Sequence, residues 1–198
     1  KHLDIAVQAA TEQGANQSAV YDSVLHEKAI RRQAIARYLQ TALEKNELEV
    51  CYRPTYNLKE KRFTRADSYM RIFIQGIGLV GAAEFIPIAE DSGQIRAVGY
   101  YALEHAGQFI HELIQAKKDF ESICIPVSPI LLVQEDFLDQ VNNILDRYEI
   151  PEGKLALELD DEALSSVYIN VNVIMQELSS MGVELVLNHF GSGCAPVT

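Results

Sequence analysis

The chain has 198 residues, 48% hydrophobic and 23% charged, a composition that suits a soluble globular protein with a sizeable core. Its formal net charge of -11 argues against a binder of duplex nucleic acid, which needs a basic face, but leaves room for a small anionic ligand held by a few Arg side chains. Cys51, Cys124 and Cys194 form an odd, widely spaced set with no CxxC pair, which argues against a disulfide scaffold and a structural zinc site.

In chain order, residues 2–12 carry Leu3, Ile5, Ala6, Ala9 and Ala10 at helical spacing, and Gly14-Ala15-Asn16 predicts the end of that helix. Residues 18–22, SAVYD, read as a short extended piece. A second helix is predicted over about 24–45 through Leu25, Ile30, Ile35, Leu39 and Leu43. Its Lys28, Arg31, Arg32 and Arg37 read as a solvated basic face. ELEVCYRPTYNL (47–58) and FTRADSYMRIFI (63–74) predict two strands of an antiparallel hairpin turning at Lys59-Glu60-Lys61. Gly76, Gly78 and Gly81 read as a loop, at the wrong spacing for a dinucleotide fingerprint. EFIPIAEDSG (84–93) predicts a short helix closed by glycine, and 95–117 a long amphipathic one.

An alternation follows. SICIPVS (122–128), KLALELD (154–160) and VELVLNHF (183–190) predict strands, separated by helices over 135–148 and 162–180. Apolar strands alternating with helices imply parallel βαβ units in an α/β fold. Cys51 and Cys124 fall in strand-like runs and are expected as reduced core residues. His105 and His111 lie too far apart for an i, i+4 metal pair and read as packing residues. With reduced cysteines, no apolar run near 18 residues and no signal peptide, the expectation is a cytoplasmic chain without membrane contact. A first residue Lys1 predicts a piece of something longer.

The strand ends collect polar residues: Asp67 and Arg71, then Pro126 and Ser128, then Glu158 with Asp160 and Asp161, then Asn188 and His189. Parallel strands closing as a barrel bring such ends to one rim, where barrel enzymes keep their sites. The expectation from the residues alone is a polar, partly acidic pocket with one fixed cation.

These segments resemble the EAL domain, the family of cyclic di-GMP phosphodiesterases and their inactive relatives. YRPTY (52–56) stands where the family has a YQPI-like segment, and DSYMR (67–71) where it has E-A-L-L-R. EFIPIAEDSGQI (84–95) matches the family's most recognisable helix, and VSPILL (127–132) follows the strand that ends in N-x-S in active members. LELDDEAL (157–164) is similar to L-E-x-T-E-x-x-L, and LNHFGSG (187–193) to D-D-F-G-T-G. The order and spacing agree from about residue 34 to the end. AVQAATEQGANQSAVYD (6–22) resembles the last helix and strand of a GGDEF domain. The resemblance thus implies a GGDEF-like tail over 1–22, a linker helix over 23–45 and a TIM-barrel-like EAL domain over 46–198. A barrel of this kind needs eight strands and ~250 residues, and about five strands are predicted from residue 47 on, so the expected barrel is incomplete.

Active members of the family hydrolyse one phosphodiester bond of cyclic di-GMP with two Mg²⁺ or Mn²⁺ ions, hard cations that need oxygen ligands. Carried over residue by residue, the EAL glutamate corresponds to Asp67, the Asn of N-x-S to Pro126, and the next strand's Glu to Glu158. The two Asp residues correspond to Asn188 and His189, and the Gln of the first strand to Arg53. Proline offers no ligand atom, Asn188 no charge, His189 is a poor magnesium ligand, and Arg53 adds positive charge where cations would sit. Family residues on later strands, a catalytic Lys and Glu among them, have no counterpart within the chain. The reading is a catalytically silent signalling module in which Asp67, Pro126, Glu158, Asn188 and His189 are vestigial metal positions, no cofactor is expected, and the signal passes by protein–protein contact. The alternative is a receptor that binds cyclic di-GMP without cleaving it, with Arg53, Asp67, Arg71, Glu158 and Asn188 as candidate contacts. A third reading, an active phosphodiesterase, would require Mg²⁺ or Mn²⁺ on Asp67, Glu158 and Asn188. A homodimer through the 24–45 helix is a further expectation.

Overall fold

The computed structural model describes Val7, Ala10, Ser18 and residues 20–160 and 171–189. Most of the predicted helix over 2–12, Ala19 of the 18–22 piece, Asp161, the start of the 162–180 helix, residues 190–193 and Cys194 lie outside the described residues.

The first described helix, α1 (Ser23–Glu44), begins at Asp22, whose side chain accepts from the Leu25 amide at 2.8 Å. It buries Ile35, Leu39 and Ala42. The strands β1 (Glu49–Asn57) and β2 (Arg62–Ile74) follow as an antiparallel hairpin with a register shift at Thr55/Tyr56. Asn57 Oδ1 accepts from the amides of Lys59 and Glu60, which starts the turn. Next come β3 (Gly78–Gly81), α2 (Ala82–Asp91) and α3 (Ile95–Gln115). Then β4 (Ser122–Pro126), α4 (Pro129–Leu132) and α5 (Phe137–Arg147) complete one crossover. The strand β5 (Leu155–Asp160), α6 (Val171–Ser180) and β6 (Glu184–Asn188) complete the next.

Six strands form one sheet in the order β1-β2-β4-β5-β6, with β3 paired to β2. The pairs β2–β4, β4–β5 and β5–β6 are parallel, as the helix–strand alternation predicts. Among the described residues the sheet is open, with β1 and β6 as its outer strands.

One expectation changes, and one element is new. Gly78–Gly81, read as a loop, is a strand antiparallel to β2, with Leu79 opposite Phe73 and Val80 opposite Ile72. Val80 is fully buried, and that packing overrides the weak strand preference of two glycines in four residues. The segment after β4 forms a helical turn, α4, started by Ser128, whose Oγ accepts from the Ile130 amide, and by Pro129 at the first position.

Side-chain alternation on β2 divides the molecule. Thr64, Ala66, Ser68, Met70, Ile72 and Ile74 face the helices and are buried. Arg65, Asp67, Tyr69, Arg71 and Phe73 therefore take the opposite, concave face. The helical layer adds Ile123 and Ile125 of β4, Leu155, Leu157 and Leu159 of β5, and Phe85, Val98, Leu103, Ile110 and Phe137 from the helices. Gly107 lets α3 and α5 cross closely, since a methyl there would stand 2.7 Å from the Tyr148 ring and 2.8 Å from Ile144. His105 and His111 are packing residues, with Nδ1 against the carbonyls of Tyr101 and Tyr148. No helix among the described residues is long and apolar enough to cross a membrane.

Candidate functional site

The concave face is where the chemistry-bearing side chains gather. Register partners share a face, so the strand pairing gives its layout directly. Arg53 of β1 pairs with Asp67 of β2, and Asp67 with Cys124 of β4. Pro126 pairs with Glu158 of β5, Glu158 with Val186 of β6, and Asp160 with Asn188. The C-terminal ends of β2, β4, β5 and β6 point the same way, so Arg71, Pro126, Glu158, Asp160 and Asn188 stand on one rim.

The rim residues bond to one another. Asn188 Nδ2 donates to Glu158 Oε1 at 2.7 Å, and Asn188 Oδ1 accepts from the His189 amide at 2.9 Å. His189 takes the left-handed conformation at φ 53°, and its Nδ1 lies 2.7 Å from Asp160 Oδ2. An ionised carboxylate only accepts, so the imidazole carries its proton on Nδ1 in this bond. Arg53 stands 4.0 Å from Asp67, an exposed and loose pair. Arg71 Nε donates to Glu49 Oε2 at 2.6 Å, and that hydrogen bond pushes the guanidinium still further towards its charged form.

The predicted site residues therefore fall into three groups rather than one cluster: Arg53 with Asp67, Arg71 with Glu49, and Glu158 with Asn188 beside His189 and Asp160. Asp67 sits one pleat below the Pro126–Glu158 rung, since its partner is Cys124.

Two hard cations would need converging oxygen ligands free to face them. Here Pro126 supplies none, the Asn188 amide presents its N–H to Glu158 while its carbonyl takes the next backbone amide, and Asp67 faces a guanidinium. Among the described residues no three His, Cys, Asp or Glu side chains are placed to hold a metal ion. This side-chain arrangement does not fit a pair of Mg²⁺ or Mn²⁺ ions.

Three further features shape the concave face and the rim. Arg65 on the concave face donates to Glu121 at 2.7 Å and to Glu184 at 3.0 Å, and Ser122 Oγ donates to the other Glu184 oxygen at 3.0 Å. Cys124 is buried above that cluster, and burial, with the negative charges of Glu158, Asp67 and Glu184, pushes its thiol up to about 12. A largely apolar cavity of about 400 Å³ opens at the rim, where Tyr69, Pro126 and Asp160 meet Pro87 and Glu90 of α2 and Ser128. The Arg65 cluster had no sequence signal, because it depends on how distant strands align; the burial of Cys124 was expected, and the rim pocket, expected to be polar, is largely apolar.

The fold and the sequence have recognisable relatives. The bifunctional diguanylate cyclase/cyclic di-GMP phosphodiesterase MucR of Pseudomonas aeruginosa is 25% identical over 192 residues, which is 97% of this chain and 28% of that protein. The chain spans about a quarter of the length of the curated relatives it matches. A solved structure described as PaMucR phosphodiesterase in complex with c-di-GMP superposes with a TM-score of 0.76 at 24% identity, covering 82% of this chain and 66% of that one. The FimX EAL domain from Pseudomonas aeruginosa bound to c-di-GMP superposes with a TM-score of 0.71 at 18% identity, covering 82% of this chain and 64% of that one. At these identities the likeness establishes a shared TIM-barrel-like α/β fold. The sequence model of the EAL domain matches residues 36–198, and the chain belongs to that family.

Proposed function

We propose that this chain is an EAL module of cyclic di-GMP signalling that does not hydrolyse the nucleotide and passes its signal on by contact with another protein. The observation that carries this reading is the Asn188–Glu158 hydrogen bond beside Pro126. At the positions where the resemblance to active members puts metal ligands, one residue has no donor atom and two others satisfy each other. A two-metal mechanism needs those groups to generate hydroxide and clamp the phosphate. On this reading residues 1–22 are the tail of a GGDEF-like domain, 23–45 a linker helix and 46–198 the EAL region, working in the cytoplasm beside a partner signalling protein or a second copy.

The test is incubation of the chain with cyclic di-GMP and MnCl₂, followed by chromatography of the nucleotide. Recovery of intact cyclic nucleotide is the expected result. Linear dinucleotide, lost when Glu158 is replaced by Gln, would overturn the proposal.

A second reading, nucleotide binding without cleavage, is favoured by Arg53 and Arg71 on the concave face. Guanidinium groups suit phosphodiester oxygens because their donors form a planar fork. Calorimetry should then give a heat with cyclic di-GMP, and Arg71→Ala should weaken binding by about tenfold, the loss of one charge-assisted contact. No heat at all would leave protein contact as the sole route of signalling.

A further inference from the structure

The linker helix is joined to the rim by a continuous chain of polar contacts. Arg31 of α1 donates through Nε to Glu84 Oε1 at 2.5 Å and through its terminal nitrogen to Oε2 at 2.9 Å, a two-pronged grip on the first turn of α2. One residue on, Arg32 bonds Asp91 at the other end of the same helix. Gln94 Nε2, just beyond α2, donates to the Ala36 carbonyl of α1 at 3.0 Å, and its own Oε1 is buried with no partner among the described residues. Between these polar fasteners Ile35 and Leu39 of α1 are fully buried. Thus α1 holds α2 at its start, at its end and at the junction with α3.

The far side of α2 belongs to the rim. Ala83, Ile86, Pro87 and Glu90 line the 400 Å³ cavity that Pro126 and Asp160 also line. Glu90 Oε1 accepts from Ser128 Oγ at 2.5 Å, and Ser128 starts α4 two residues after Pro126. α2 is short, with Pro87 inside it supplying no N–H to the Ala83 carbonyl, so its own backbone bonds hold it weakly. Its position is set by what grips it.

The geometry points to α2 as a transmission element: displacement of α1 moves α2 and, through Glu90–Ser128, the end of β4 at the candidate site. Regulation of that site by the linker helix rests on the reading of the rim as the nucleotide or partner site; the mechanical coupling itself does not. Arg31 and Arg32 are positioning residues in this scheme, since they touch the rim only through α2.

Hydrogen exchange on the whole chain, without nucleotide, tests the coupling. In Arg31→Glu/Arg32→Glu the amides of 84–93 and of 127–133 should exchange about threefold to tenfold faster, the range expected from losing two partly exposed ion pairs. Amides of β5 (155–160) should be unchanged. Adding Glu84→Arg and Asp91→Arg, which reverses both pairs, should restore protection. Glu90→Ala in the wild-type background should speed exchange at 127–133 alone. Faster exchange confined to α1, or spread evenly over all elements, would overturn the coupling, as would a charge reversal that restores nothing. Calorimetry with cyclic di-GMP on the same variants separates the two layers. If the wild type binds no nucleotide while the exchange pattern holds, the receptor reading falls and the coupling stands.

Discussion

Asn188 and Glu158 form a pair that works with one charge and not with two. The amide donates to the carboxylate at 2.7 Å, and no proton is shared. Asn188→Asp would place two carboxylates across that gap. Like charges so close raise the carboxyl pKa of one partner and cost stability, here about 0.5–1.5 kcal/mol because the rim is open to water. A divalent cation bridging the two oxygens would offset that cost. The expectation is a lower Tm for Asn188→Asp in chelator, raised again by millimolar MnCl₂, while the wild-type Tm is insensitive to the metal. An equal rise in the wild type would show that the native pair already holds a cation, and that the rim fits a divalent metal after all. The identities of these residues were legible in the sequence as strand-end positions. Their bonding was not, because it depends on the register that sets Asp160 opposite Asn188 and Glu158 opposite Val186, which is fixed by the packing of β5 and β6.

At the scale of the element, the contact between α1 and α2 carries a pH dependence with a definite sign. The Arg31 guanidinium, donating to Glu84, holds that carboxyl below its ordinary value of 4.5. A depressed carboxyl contributes stability at pH values above 4.5 and loses it as pH falls through the folded-state value. Both side chains are about two-fifths exposed, so solvent screens the pair and its contribution is small. Glu84→Gln keeps the shape and removes the charge. The Tm gap between wild type and Glu84→Gln should be present at pH 6 in low salt and shrink progressively as the pH falls below 4.5. A gap independent of pH would mean that the variant disturbs packing rather than charge. This joint also marks the limit of sequence reading. Lys28, Arg31, Arg32 and Arg37 read as a solvated face, and nothing local says that Glu84, 53 residues from Arg31, stands opposite it. The apolar stripe of the same helix was legible, because Ile35 and Leu39 repeat at helical spacing. So were β2, from its alternation, and β4, β5 and β6, from their apolar runs, whereas β3 was lost among its glycines.

At the scale of the molecule, the sheet is open among the described residues, and a charged cluster ties its strands together. Strands lie about 4.8 Å apart, so a flat sheet would hold β2 and β6 roughly 14 Å from each other, with β4 and β5 between them. Arg65 on β2 nevertheless reaches Glu184 on β6 at 3.0 Å, and Ser122 on β4 donates to the same carboxylate. An extended Arg and an extended Glu together bridge such a gap, so the bonds tie β2 and β4 to β6 over the concave face. The cluster is therefore a stitch across four strands. Arg65→Leu removes two charge-assisted hydrogen bonds and leaves Glu121 and Glu184 without their cation, with Ser122 buried beside them. The expected loss is about 1–2 kcal/mol in urea unfolding, limited by the partial exposure of the arginine. Adding Glu184→Leu should recover part of that loss, since the stranded carboxylate disappears with it. Two strictly additive losses would mean that Arg65 and Glu184 act independently, and the cluster would then not work as a tie across the sheet.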